Sequence, residues 1–263
     1  MVLVIIGILL AMAAVLTRGV SAAQKRSLTA TRLAGIDSAL VQFVMQQRRL
    51  PCPADGTIAS GLPNAGVESC ALVNQVNGVA PWVTLGIPEI DATDGWDRRL
   101  TYRAQPALVT ASGLDMSQCD PAGTGGPVGG ACTAGCVSTN LAACTSPTNF
   151  LIGKGLTVKD IVGNTLMTPA TALAPTNTGA AYVVVSHGET GGGAYLNSGT
   201  LTTSTTTDGT EEQKNYATLP VTQPYYLDDS VSGLAGPSHF DDIVSRPSVL
   251  AVITKAALGP RSH

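Results

Sequence analysis

Three groups of side chains in this sequence have types and spacings suited to chemistry: six cysteines, two pairs of aspartates and two histidines near acids. The cysteines, Cys52, Cys70, Cys119, Cys132, Cys136 and Cys144, are an even set confined to residues 52–144. An even count in a glycine-rich stretch is the pattern of disulfides formed in an oxidising compartment. Zinc is the rival for the last four, but their spacing of twelve, three and seven intervening residues has no C-x2-C knuckle and no nearby histidine. Spacing leaves the connectivity open. The expectation carried forward is the local set: Cys52 with Cys70, Cys119 with Cys132, and Cys136 with Cys144.

Asp228 and Asp229 lie a dozen residues before Asp241 and Asp242. Calcium takes several carboxylate and carbonyl oxygens, so these four are its candidate ligands. The ordinary alternative makes them solvated turn residues, or caps for a segment beginning at Ile243. His187 after an apolar run, and His239 beside Asp241, are materials for hydrolysis. The G-x-S-x-G, H-E-x-x-H and G-x4-G-K-[ST] patterns are all missing. "HGETGGG", residues 187–193, lacks the lysine and following helix that hold phosphate. No enzymatic activity and no cofactor other than calcium is expected.

The elements that must carry these groups begin with a long helix. The first sixteen residues of "MVLVIIGILLAMAAVLTRG" have no charge, no histidine and no amide side chain. From Ala13 to Arg49 there is no proline, and apolar residues recur at Leu28, Leu33, Ile36, Leu40, Phe43 and Val44, near the spacing of one helix face. The pattern stops at "RRLPCPADG", where Pro51 disfavours helix at Leu50. Continuous with the apolar run, a helix of about 50 residues is about 75 Å long, more than a compact body of this size encloses. Its apolar opening spans about 24 Å, a little under a bilayer's hydrocarbon core. A helix apolar all round at one end and amphipathic at the other is built for two settings, lipid and then a bundle of like helices.

Charge is divided between the two parts. Residues 1–50 hold six basic side chains (Arg18, Lys25, Arg26, Arg32, Arg48, Arg49) against Asp37, while the remainder carries nine basic and seventeen acidic residues. Several of the stem's cations are expected to pair with neighbouring copies or lie near lipid headgroups, and with an acidic body this argues against nucleic acid as the primary ligand.

The body is read as α+β. "DGWDRRLTYR", residues 94–103, gives an Asp-Gly turn and then a strand in which Leu100, Tyr102 and Ala104 alternate with Thr101 and Arg103. Trp96 is expected in the core. "AYVVVSHG" is a buried strand ending in a turn. Residues 113–149 form a Gly- and Cys-rich surface insert, 198–213 a mobile polar loop or a site of O-linked sugar, and Val249–Ile253 a last segment for the sheet.

"MVLVIIGILLAMAA" followed by an amphipathic helix resembles the N-terminal region of type IV pilins and of the pseudopilins of type II secretion. "RRLPCPADG", "DGWDRRLTYR", "YVVVSHGETGGGAY" (182–195) and "FDDIVS" (240–245) are similar to the punctuation of prepilin-like bodies. The resemblance implies a lollipop: a long helix over residues 1–50, with 1–17 as membrane or filament core and 18–50 amphipathic, carrying an antiparallel-sheet body over 51–263. It implies a precursor in the inner membrane, handled by a pilus or secretion assembly machinery. The precursor then becomes a homopolymeric filament on the bacterial surface. Filament packing would fall to Met1, Val2, Leu3, Val4, Ile5, Ile6, Gly7, Ile8, Leu9, Leu10, Met12, Val15 and Leu16. Family members have a basic leader ending in glycine, an N-methylated phenylalanine and a glutamate four residues on. None of these stands before "MVLVIIG", so the alignment places Met1 about seven or eight residues inside the family's mature start. Alternatives to a major pilin are a minor pilin or pseudopilin of a type II secretion system, or a membrane-anchored adhesin.

Overall fold

The computed structural model describes the backbone of residues 2–72, 77–116, 150–174, 178–203, 209–219, 223–232, 236 and 238–259, with side chains from residue 21 onward, Leu72 excepted. Helix α1 spans Val2–Gln47. Leu33, Ile36, Leu40 and Val44, spaced three and four apart, are its buried apolar stripe. Leu28, expected on that stripe, is 44% exposed, and the fully buried Thr29 takes the place one turn before Leu33. Five residues of helix turn a side chain well off the stripe, whereas four keep it there. Arg48 takes a left-handed conformation (φ 56°) and ends the helix.

Beyond the helix lies a five-stranded sheet of β1 (Ala54–Asp55), β2 (Gly78–Val79), β4 (Thr101–Ala104), β7 (Tyr182–Ser186) and β10 (Ile243–Ser245), in that spatial order and antiparallel throughout. β3 (Arg98–Arg99) pairs with β8 (Tyr195–Leu196). A smaller sheet joins β6 (Thr165–Met167), β5 (Val158–Lys159) and β9 (Tyr226–Leu227), with the β5–β9 pair parallel. Among the described residues, two short α-helices complete the body, α2 (Trp82–Leu85) and α3 (Val249–Lys255).

The β4–β7 register explains why "YVVVS" does not alternate. Tyr102 lies opposite Val184, and Ala104 opposite Tyr182; all four join the core beneath α1. Val183 and Val185 point the other way, into a second core with Leu156, Val158, Ala180 and Tyr226. With both faces covered, every residue of β7 is buried.

Val249–Ile253 is helix, not strand. Ser248 caps it, its hydroxyl accepting the Ala251 N–H, and Val249, Val252 and Ile253 face the core under α1 at helical spacing. Ile243 instead begins β10, so Asp241 and Asp242 precede a strand and cap no helix. The expected surface insert starts in the core: Leu114, Asp115 and Met116 are buried, because Asp115 pairs with Arg48 at the helix end (2.7 Å) and the Met116 N–H reaches Leu258 O. Residues 117–149, with the Cys119–Cys132 and Cys136–Cys144 expectations, lie outside the described residues. In the polar run 198–213, Thr202 is tied by its hydroxyl to Gly191 O and Ala194 O and Glu212 is buried, so the described flanks are held by hydrogen bonds; 204–208 lie outside.

Among the described residues, no helix is long and apolar enough to cross a membrane. The side chains of residues 1–20, which include the whole expected assembly segment Met1–Leu16, lie outside that description.

Candidate functional site

Two parts of the molecule have the makings of a functional site: the stem helix, and the rim of loops where β7 and β10 meet. On the stem, Gly95 lets the body come close to α1; a Cβ there would sit 2.4 Å from the Lys25 carbonyl oxygen, and its N–H donates to Thr29 Oγ1 at 2.9 Å. Asp37 accepts from Tyr182 Oη (3.0 Å) and Ser245 Oγ (2.7 Å), so one helix carboxylate ties β7 and β10 to the stem. Burial pushes its pKa above the ordinary aspartate value, against the pull of those hydroxyls and of Lys255.

Four of the stem's cations, Lys25, Arg32, Arg48 and Arg49, are engaged within the chain. Lys25 lies over the Trp96 ring at 6.0 Å, and Arg32 donates to Asp94 O at 2.7 Å and to Thr93 Oγ1 at 3.2 Å. Arg48 pairs with Asp115 and Arg49 with Glu68. These four cations thus have partners in the chain's own body. Trp96, expected in the core, is half-buried between Lys25 and Arg98 (5.7 Å), while Trp82 takes a core position.

Near the helix end, Cys52 and Cys70 are joined as expected. Arg49 grips Glu68 through two N–H···O bonds of 2.8 and 2.9 Å, and Glu68 Oε2 also accepts the Cys52 N–H at 2.8 Å. Burial alone would raise the Glu68 pKa, but the guanidinium and the backbone N–H hold it below the usual carboxylate value.

At the rim, glycines and acids organise irregular backbone. Asp94 Oδ1 accepts the N–H groups of Trp96 (2.8 Å) and Arg98 (3.0 Å), and its Oδ2 accepts Ser186 Oγ (2.9 Å). Burial raises its pKa, opposed by Arg98 and these donors. The N–H groups of Glu189 and Thr190 meet Asp241 Oδ2 at 2.8 and 2.9 Å, and Thr190 Oγ1 meets Oδ1 at 3.0 Å. "HGETGGG" is thus an anion-binding turn whose anion is the chain's own Asp241. Gly188 has φ +54°, and a Cβ on it would lie 2.4 Å from Asp241 Oδ1.

Thr101 Oγ1 lies 2.7 Å from His187 Nε2, and His187 Nδ1 lies 3.9 Å from Asp242 Oδ1. Hydroxyl, imidazole and carboxylate stand in the order of a relay, but the last gap is longer than a hydrogen bond. All three residues are almost fully buried, at 1%, 1% and 3% exposure, which shields the hydroxyl from an external substrate. Asn215 closes the other side, donating to Asp242 Oδ2 (2.8 Å) and Leu227 O and accepting the Leu227 N–H.

Of the four aspartates considered for calcium, Asp228 bonds the Arg246 guanidinium and Asp229 accepts the N–H groups of Ile161 and Ser230. Two groups of three or more metal-ligating side chains converge among the described residues: Cys52, Glu68 and Cys70, of which the cysteines form the disulfide, and Glu212, His239 and Asp241. Asp228, Asp229 and Asp242 belong to neither. Glu212 was not singled out by sequence; it sits in the polar run 198–213, where only the fold brings it to Asp241. Its Oε1 accepts the Asp241 N–H (2.8 Å) and its Oε2 the Gly209 N–H (3.0 Å). Burial, reinforced by the Asp241 carboxylate and opposed by the two N–H donors, raises its pKa to about 7. No family model, curated protein or solved structure matches the chain.

Proposed function

We propose that this chain is the structural subunit of an extracellular filament of the type IV pilus kind, built by packing the apolar first helices of many copies. The observation that carries the reading is the division of α1. The helix has 46 residues, and over 21–47, where its side chains are described, the buried stripe begins at Thr29 and the contacts with the body begin at Lys25. The twenty-three helical residues before Lys25 add about 35 Å of rod. They include the uncharged run that opens the sequence. A surface of that kind is matched by lipid in a precursor and by like helices in a fibre, where it leaves water at about 25 cal/mol per Å². In this reading the precursor waits in the inner membrane and the polymer stands on the cell surface.

Gripping the lower half of α1 through Thr29, Arg32, Asp37 and the Leu33–Val44 stripe suits a subunit that must hold its stem at a fixed angle. The buried relay around His187 and the acids of the rim serve the body's own loops, so the reading assigns no catalysis. Electron microscopy of material sheared from cells tests the proposal, with fibres made of this chain as the expected result. Replacing Ile8 by Asp should abolish those fibres while leaving the chain in the cell. Normal fibres from that variant would overturn a packed helical core. Membrane-bound monomer alone, in cells with assembly machinery, would favour an anchored binding protein, and short stubs dependent on a secretion system would favour a pseudopilin.

A further inference from the structure

We propose that Glu212, His239 and Asp241 form a binding site for a first-row divalent metal ion, with zinc the best match, which ties the turn around residues 209–215 to the segment leading into β10. The site does not depend on the filament reading. Its first support is the donor set. Two carboxylates and an imidazole offer ligand atoms that all lie within 4.8 Å of one another. A tetrahedral zinc with bonds of about 2.1 Å holds its ligands about 3.4 Å apart. His239 Nε2 is already 3.7 Å from Asp241 Oδ2. Shifts of about an ångström at side-chain ends close the set around an ion.

The second support is electrostatic and independent of that spacing. Glu212 and Asp241 are 2% and 3% exposed and lie against each other. Among the described residues, no lysine or arginine forms an ion pair with either. Two carboxylates brought together away from water need a positive charge between them, either a proton or a metal ion. The backbone is arranged to hold both acids rather than part them: Gly209 and Asp241 donate N–H groups to Glu212, and Glu189 and Thr190 donate theirs to Asp241. Glu212 Oε1 and Oε2 each accept one backbone N–H, and Asp241 Oδ1 accepts the Thr190 hydroxyl.

The ligand types choose the ion. Calcium prefers a shell of about six to eight oxygens, and an imidazole is a poor member of it. Nitrogen with two carboxylate oxygens suits zinc and its first-row neighbours, leaving a fourth position for water. His239 is the most exposed of the three and stands at the edge where an ion would enter.

The test uses the full chain in detergent, stripped with EDTA and desalted, then incubated with zinc chloride or calcium chloride. Metal retained after a second desalting is counted by mass spectrometry, and thermal unfolding is followed in parallel. The expected result is about one equivalent of zinc retained and a Tm raised by about 5 °C, with no shift from calcium. His239→Gln should keep the metal-free Tm and lose both zinc and its effect; Glu212→Gln, which sets an NH2 against one of the two backbone N–H donors, should lose zinc and lower the metal-free Tm. Failure to retain zinc would overturn the site. Equal stabilisation by calcium in wild type and His239→Gln would overturn the choice of metal, and zinc retained equally by His239→Gln would place it elsewhere.

Discussion

The core beneath α1 and the loops at the edges of the sheets are stabilised in different ways. Beneath α1 the core is apolar side chains at regular spacing: Leu33, Ile36, Leu40 and Val44 from the helix against Tyr102, Tyr182 and Val184 from the strands. Toward the loops, irregular backbone is held by buried charge. Arg103, 2% exposed, donates to the carbonyls of Gly78, Tyr102, Ala217 and Leu219. Arg99 binds Gly56 O, Ile58 O and Asn197 O as well as Glu89. A helix satisfies its own peptide groups and paired strands satisfy each other's, so what packs on them need supply only apolar area. Loops cannot, and a guanidinium with five donors replaces the missing ladder.

This contrast can be broken from both sides. The largest effect is expected from Arg103→Ala, which strands several buried carbonyls; a loss of about 4 kcal/mol in urea unfolding is expected. Leu40→Ala, which leaves a cavity under the helix, should cost about 3 kcal/mol in the same measurement. A cost for Arg103→Ala well below that of Leu40→Ala would show that the loops are held by something other than the buried cation. The smallest effect concerns Glu68, a partly exposed member of the loop network. Its folded pKa is below the ordinary 4.5, so its contribution is complete above that value and fades as pH falls through the folded pKa. Glu68→Gln should therefore lower stability by about 1 kcal/mol or less at pH 7, and the gap to wild type should shrink below pH 4.5. A gap unchanged down to pH 3 would show that the Arg49 pairing contributes nothing.

How much was legible beforehand follows the same division. The helix, the β4 and β7 strands and the Asp94–Gly95 turn could be read because each has a local signal: a period, a β-branched run, a turn dipeptide. Leu28 misled because apolar type was weighed without its angle around the helix. Val249–Ile253 misled because a short apolar run has no period long enough to separate strand from helix, and the cap at Ser248 went unread. The capping serine was the available signal. For Glu212 there was none, since its partner Asp241 is 29 positions away and nothing between them has a period.

Sequence by itself determined the long helix, the α+β class of the body, the burial of "YVVVS" and the end of the helix ahead of Pro51. These depend on neighbours a few residues apart, where propensity and spacing act directly. Tertiary structure alone decided that four stem cations are used within the chain, that "HGETGGG" holds an aspartate rather than a phosphate, and that Glu212, His239 and Asp241 meet. Those outcomes depend on which loops the sheet brings together, and a carboxylate's partner is set by its distance in space, which the order of residues along the chain does not encode locally.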